Sequence, residues 1–431
     1  MTRETQMQND TAFQMAASNV RFGQGITREV GMDLSDMGVG RTMLVIDPAL
    51  VSTPVGETVI QSLRDNQISF EIFDAVRVEP TDASFKAAAE FAVKGEFDSF
   101  VAVGGGSTMD TAKAANLYST YPAEFFDYVN APVGKGIPVP GALKPLIAVP
   151  TTAGTGSETT GVAIFDWLEK KVKTGIAHRH LKPTLGIVDA DNTRSMPPAV
   201  AASTGLDVLS HALESYTALP FDRRPMPRRP IERPAYQGSN PISDIWAIRA
   251  LELMAEFLPR AVADTSDDEA RSQMLMAATI AGIGFGNAGV HLPHGMSYPV
   301  AGMVRDYRPE GYTVDHAMVP HGISVVLNAP AVFRFTAPAN PERHLRAAEA
   351  LGADVSDASP DDAGEVLAER VTHFIRTLGL PNGLGALGYT NEDIPALVAG
   401  TLPQHRVTKL SPRPFEETEL SALFEDSLTI W

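Results

Sequence analysis

Hydrophobic patterning divides the chain into two textures. Between residues 42 and 188, short runs that are apolar at nearly every position recur between stretches with helical spacing. Thr42–Asp47 (TMLVID), Ser69–Val76, Ser99–Val103, Leu146–Val149 and Leu185–Val188 read as strands. Continuously apolar strands are buried on both faces, which is the habit of a parallel sheet covered by helices. Helical patterns over about Val55–Asn66 and Asp82–Lys94 supply crossovers. Gly161–Ala177 differs: two β-rich runs flank the polar stretch Glu169–Lys171, which predicts a hairpin.

After Met196-Pro197-Pro198 the β-rich runs mostly stop. Helical patterns follow over Ala199–Tyr216, Ile242–Ala263, Glu269–Gly282, Ser324–Phe335, Pro341–Leu351, Asp361–Leu378 and Ile394–Leu402. The expectation is an α/β N-terminal domain with a parallel sheet, residues 1–195, and an all-α C-terminal domain, residues 196–431. Pro220–Pro234 (PFDRRPMPRRPIERP) fits neither texture. Five prolines forbid a helix or central strand there, and five arginines against two acids make it a stiff basic loop.

Composition narrows the function. The 431 residues are 44% apolar and 20% charged, which is ordinary for a globular protein. Lys+Arg number 35 and Asp+Glu 52, a formal charge of −17, which argues against nucleic acid or anionic membrane as a partner. The absence of Cys excludes a disulfide scaffold, a thiolate metal site and a Cys nucleophile. No run reaches the ~18 apolar residues of a membrane span. The first 20 residues carry no targeting pattern, so the expected location is cytoplasmic.

Four sets of residues could carry chemistry. In VGGGSTMDTAK, a strand runs into Gly104, Gly105 and Gly106 and then a helix. Ser107 is placed to cap that helix, with Asp110 completing a capping box. The exposed N–H groups there suit a pyrophosphate. Asp47 ends the first strand, where a carboxylate can accept both ribose hydroxyls of an adenosine and favour NAD over NADP. Thr151, Thr152, Thr155 and Ser157, in PTTAGTGSE, bring hydroxyl donors to a neighbouring strand end. Finally, Asp207 and His211 share one face of a helix in TGLDVLSHALESY. With His294 and His321 they make a plausible Zn²⁺ or Fe²⁺ site, for which His291 and His316 are rival ligands.

GGGSTMD, PTTAGTGSE, GLDVLSHALES, HGM and VPHG, in this order, resemble the iron-containing (group III) alcohol dehydrogenase family over nearly the whole chain. SNVRFGQGITREVGMDL, RPAYQGSNPISDIWA, GFGNAGVHLPHGMSYP and GTLPQHRVTKLSPRP look closer to one branch, the hydroxyacid–oxoacid transhydrogenases. The resemblance implies a dehydroquinate synthase-like architecture, with bound NAD and Fe²⁺ (or Zn²⁺) in an interdomain cleft. It implies Asp207, His211, His294 and His321 as metal ligands. His294 is preferred to His291 because Gly-Met follows it. Asp47, Gly105, Gly106, Ser107, Thr151, Thr152 and Lys173 would hold the nucleotide. Where many family members carry a second His near the substrate, this chain has Tyr298, a candidate proton shuttle with a high reference pKa.

The implied activity passes hydride from a hydroxy acid such as 4-hydroxybutyrate to an oxo acid such as 2-oxoglutarate through bound NAD. The implied assembly is a homo-oligomer. Anionic substrates on an acidic protein need a local cation. Arg223, Arg224, Arg228, Arg229 and Arg233 of the Arg/Pro loop are the expected carboxylate clamp, with Arg305, Arg308 and Arg413 as lesser candidates. Two alternatives remain: an NAD-dependent alcohol or 4-hydroxybutyrate dehydrogenase with exchangeable cofactor, and a sugar-phosphate lyase. Asp207, where a lyase would carry Glu, weighs against the second.

Overall fold

The computed structural model describes residues 8–431 except 171 and 313. Its strands are β1 (Asn19–Phe22), β2 (Arg41–Ile46), β3 (Ser69–Phe73), β4 (Ser99–Gly104), β5 (Leu146–Pro150), β6 (Val162–Trp167), β7 (Val172–Ala177) and β8 (Leu185–Val188). Six form one parallel sheet in the order β1-β8-β5-β4-β2-β3, and β6 and β7 form the expected antiparallel hairpin. The apolar runs alternate between two cores. Leu44, Ile46, Val101, Val103, Ile147 and Val149 face Val55, Val59 and Leu63 of the helix Pro54–Asp65. Met43, Val45, Phe100, Ala102 and Ala148 face the helices Asp82–Gly95 and Gly106–Thr120 on the other side. A one-residue slip would exchange the two sets, so burial on both faces fixes the register.

β2 pairs with β3 on one side and β4 on the other. The winding direction therefore reverses between β2 and β4. A crevice opens at the carboxyl ends of strands where that happens, and ligands of open α/β sheets bind in such crevices. Asp47 N–H donates to the Val103 carbonyl and Thr151 N–H to the Gly104 carbonyl, so the loops after β2, β4 and β5 leave the sheet at one level.

Beyond Pro198 the described structure is helical. The helices Pro198–Thr217, Pro241–Ala263 and Asp268–Ala288 pack on one another around a large apolar core. Among the described residues, no single helix is long and apolar enough to cross a membrane.

Three expectations need amendment. β1 was not foreseen: it is four residues at the sheet edge, half polar, and its Arg21 pairs with Asp33 at 2.7 Å. Ser324–Phe335 is two helices, His321–Val326 and Ala329–Thr336: Pro330 brings no N–H for the Val326 carbonyl, the Asn328 N–H turns to the Val325 carbonyl, and the Asn328 side-chain amide donates to the Ser324 carbonyl in its place. The helices Leu292–Gly302 and Glu417–Ser427 were also missed, the first because Pro293 and Pro299 interrupt its helical signal. The Arg/Pro loop, by contrast, is a loop as its prolines predict, with only short turns at Phe221–Arg223 and Pro230–Glu232. Its Arg224 and Arg233 grip Asp10, a carboxylate only 1% exposed, at 2.8 and 2.9 Å.

Candidate metal and nucleotide site

A cleft of about 720 Å³ runs from the strand ends of the sheet to the helices that follow. On the helical side, Asp207, His211 and Glu214 stand at i, i+4 and i+7 of the helix Pro198–Thr217, and all three are buried. Nε2 of His211 and Nε2 of His294 each lie 3.6 Å from Oδ1 of Asp207, and Nε2 of His321 lies 3.8 Å from it. Two glycines permit this convergence. A Cβ on Gly322 would sit 1.9 Å from the Ser203 carbonyl, so only glycine lets the His321 helix rest on the Asp207 helix. A Cβ on Gly295 would sit 2.5 Å from Thr408, where the His294 helix meets the turn His405–Thr408.

The electrostatics fit a cation site. Asp207 Oδ1 and His294 Nε2 are shut off from solvent and have no hydrogen-bond partner. Burial, then the charges of Glu214 and Glu79, push the Asp207 carboxyl well above its usual range. Burial, then the neighbouring imidazoles, hold His211 and His321 well below theirs. Burial, then the Arg406 charge, brings His294 down to about 3. Neutral imidazoles presenting lone pairs to one buried carboxylate oxygen are the donor set of a divalent metal, and Asp207, His211 and His294 can share one ion.

Glu214 supports that set. Its Oε1 lies 2.6 Å from Nδ1 of His294, and its Oε2 accepts the backbone N–H of His291 at 2.7 Å. A carboxylate behind a metal-binding imidazole fixes the tautomer that leaves Nε2 free. The rivals are engaged elsewhere: His291 Nε2 meets the Thr217 hydroxyl at 3.0 Å, and His316 pairs with Asp315.

On the sheet side, the helix Gly106–Thr120 begins at Gly105 without a side-chain cap, and Gly106 and Ser107 line the cleft. First-turn N–H groups open to a cleft suit a pyrophosphate. The expected capping box does not form. Ser107 Oγ accepts the Glu79 N–H, and Asp110 is drawn to charged and hydroxyl partners, accepting from the Ser157 hydroxyl at 2.7 Å and from buried Lys113 at 3.3 Å. Thr155 packs against Gly106, and Thr152 against Gly105. Gly156, at φ 58°, lets this loop touch the backbone of Gly282. Thr151 is buried, its N–H spent on the sheet. Asp47 caps the turn that follows it, accepting the Ala49 N–H through Oδ1, and stays outside the cleft lining. Lys173 lines the cleft but is held by Glu79 at 2.6 Å and Asp166 at 2.9 Å.

The structure does not bring Arg223, Arg224, Arg228, Arg229 or Arg233 to the cleft lining. Arg224 and Arg233 are committed to Asp10, so the loop fastens the N-terminal segment instead of clamping substrate. Arg305 pairs with Asp393, and Arg413 donates to the Phe335 carbonyl. The arginine that does line the cleft is Arg406, which the sequence reading missed. It donates to the Tyr298 hydroxyl at 2.6 Å. Glu79 and Glu214 were missed as well, although Glu214 continues the i, i+4 spacing of Asp207 and His211.

Two family descriptions match the chain: iron-containing alcohol dehydrogenase over residues 17–190, and the C-terminal region of the Fe-containing alcohol dehydrogenase family over residues 231–428. The chain belongs to the iron-containing alcohol dehydrogenase family. Within it, the chain is 61% identical over 424 residues to the mitochondrial hydroxyacid-oxoacid transhydrogenase of Rattus norvegicus, covering 98% of this chain and 91% of that one. The Homo sapiens protein of the same name is 59% identical over the same shares. Among solved structures, a 1,3-propanediol oxidoreductase superposes with a TM-score of 0.84 at 28% identity, covering 96% of this chain and 100% of the other. The sulfoacetaldehyde reductase of Bifidobacterium kashiwanohense, in complex with NAD⁺, gives 0.79 at 27%, covering 97% and 99%. The relatives' names correct one expectation: those transhydrogenases are mitochondrial, which indicates that location in place of the cytoplasm.

Proposed function

We propose that this chain transfers hydride from a hydroxy acid such as 4-hydroxybutyrate to an oxo acid such as 2-oxoglutarate, using NAD and Fe²⁺ (or Zn²⁺). The observation that carries this reading is the convergence of three imidazole nitrogens, at 3.6, 3.6 and 3.8 Å, on one buried carboxylate oxygen inside a cleft that also holds an uncapped helix start. When bound, the metal supplies charge that polarises the reacting carbon–oxygen group, and NAD supplies the nicotinamide that carries the hydride.

The chain's own residues hold these groups. Asp207, His211, His294 and His321 would hold the ion, with Glu214 fixing the His294 ring. Gly104, Gly105, Gly106 and Ser107 would receive the pyrophosphate on backbone N–H groups. Thr155 and Ser157 border it, and Asp47 has one carboxylate oxygen left for a ribose. Lys173, Asp110 and Lys113 keep the loops in register through buried ion pairs. Phe285 lies flat on the His211 ring, with centroids 3.8 Å apart, and screens that side from water. Tyr298, four residues beyond His294, has its oxygen occupied by Arg406 and its proton free to donate, which suits a group that orients a substrate oxygen.

The same reading divides the chain at 195/196. Support comes from the end of β8 at Val188 and the start of the long helices at Pro198. A homo-oligomer is the assembly expected of it, measurable by sedimentation. The deciding experiment is 2-oxoglutarate reduction by 4-hydroxybutyrate without added NAD(H). Turnover is expected. A strict need for diffusible NAD(H) would leave a dehydrogenase with exchangeable cofactor.

A further inference from the structure

The substrates of the proposed exchange carry carboxylates, and the arginine-rich loop does not reach them. Arg406 does. It lies on the short turn His405–Thr408, which Gly295 allows to press against the His294 helix. Its Nη2 donates to the Tyr298 hydroxyl, and its Cζ stands 4.9 Å from the ring centroid of Tyr236. Its Nη1 is closed off from solvent and has no hydrogen-bond partner.

The lysine lining the cleft is answered: Lys173 meets Glu79 and Asp166. Lys113, buried behind the lining, meets Asp110. Among the described residues, the polar groups engaging the Arg406 guanidinium are two phenols, and no carboxylate pairs with it. A guanidinium kept from water with an idle N–H is costly unless an anion completes it.

The placement is selective. Tyr298 follows His294 by four residues, roughly 6 Å along the helix axis. Two methylenes separate the reacting carbon from the carboxylate carbon in 4-hydroxybutyrate. Two methylenes also separate the reacting carbon of 2-oxoglutarate from its distal carboxylate. One cation at a fixed distance from the metal ligands therefore suits the outgoing donor and the incoming acceptor alike.

Resting on the transhydrogenase reading, we propose that Arg406, oriented by Tyr298 and Tyr236, is the carboxylate anchor of the cleft, and that this one anchor serves both halves of the exchange. The substrate class follows: four-carbon ω-hydroxy acids, and 2-oxo acids with a second carboxylate two methylenes away. Shifting the spacing by one methylene, as in 3-hydroxypropionate or 5-hydroxypentanoate, separates the reacting carbon from the ion or the carboxylate from the guanidinium.

The test uses the full chain and the variants Arg406→Leu and Arg406→Lys, with thermal midpoint, metal content and bound NAD measured on each. KM and kcat are read for 4-hydroxybutyrate and butan-1-ol with added NAD⁺, and KM for 2-oxoglutarate in the exchange. Arg406→Leu is expected to raise KM for both acids roughly 100-fold while kcat/KM for butan-1-ol falls less than about fivefold, and Arg406→Lys to recover part of the loss. Equal losses for acid and alcohol, or a rise confined to one acid, overturn the shared anchor. A second measurement does not depend on a folded variant: butyrate is expected to compete with butan-1-ol on the unaltered enzyme about 100-fold better than butyramide does. Equal inhibition by the two overturns the anchor. If the unaltered enzyme oxidises 4-hydroxybutyrate only with diffusible NAD(H), the transhydrogenase reading fails while the acid/alcohol split still decides the anchor. If it exchanges hydride between acids and the split is absent, the anchor fails and the reading stands.

Discussion

Two buried polar clusters border the same cleft and are built on opposite terms. Under the Thr-rich loop, Lys113 donates to Asp110, Ser157 and the Val162 carbonyl, while Asp110 also accepts the Ile164 N–H. Its charged atoms are answered by the protein. Across the cleft, Asp207 Oδ1 and His294 Nε2 face one another at 3.6 Å, and neither finds a hydrogen-bond partner in the protein. The first cluster completes itself on folding and sets the position of a loop. The second is incomplete until a cation arrives, and the cost of leaving it so is the mark of a binding site.

Removing one member from each cluster should therefore give opposite results. Asp207→Ala is expected to lower activity by roughly 10³-fold or more, the worth of several kcal/mol of charge stabilisation, and to abolish metal retention. In metal-free protein the same change should not lower the thermal midpoint, because the carboxyl it removes is buried and unpaired. A fall there would show that Asp207 is held by protein contacts, and the contrast would be broken. Lys113→Met should act the other way, costing about 1.5–3 kcal/mol of stability with or without metal, because it takes the cation from half-buried Asp110 and leaves it only the Ser157 hydroxyl and the Ile164 N–H. Denaturant midpoints of metal-loaded and metal-free protein check this.

Glu214→Gln sharpens the picture at an intermediate scale. It keeps the shape but weakens the hold on the His294 ring, so metal affinity should fall about 10- to 100-fold by chelator competition. The smallest effect on catalysis belongs to the loop that sequence alone made prominent. Arg233→Ala removes two hydrogen bonds to buried Asp10 but leaves it paired with Arg224, so stability should fall by about 1–3 kcal/mol. KM for 4-hydroxybutyrate should stay within about twofold, because the loop does not border the cleft; a large rise would restore the loop as a substrate clamp.

The contrast also marks what could be read in advance. Strands β2, β4, β5 and β8 were legible because burial on both faces forces a run of Val, Ile, Leu and Ala that no surface segment needs. β1 was not, because an edge strand of four residues with exposed ends and a half-buried Arg carries no such demand. Asp207 and His211 were legible as a pair because helical periodicity is local. The same periodicity reaches Glu214, and reading one more turn would have found it. Arg406 carried no comparable signal. It sits in QHRVTK without acidic or glycine neighbours, and five arginines crowded into one proline-rich stretch drew attention away from it. Charge density along the chain reports solvation, whereas a functional cation is identified by lacking a partner in space.

The amino-acid order alone decided the parallel sheet, the shift to helices after residue 198, the glycine and threonine loops at strand ends, and the residue types able to hold a metal. These are matters of periodicity, backbone freedom and donor chemistry, all expressed within a few residues. Only the folded chain decided that His294 and His321, more than 80 residues beyond Asp207 in sequence, meet it in space, that His291 turns to Thr217, and that Arg406 enters the cleft while Arg224 and Arg233 leave it. Those outcomes depend on two helices being able to touch at Gly322 and on a turn seating against Gly295, contacts between distant segments whose fit no local pattern encodes.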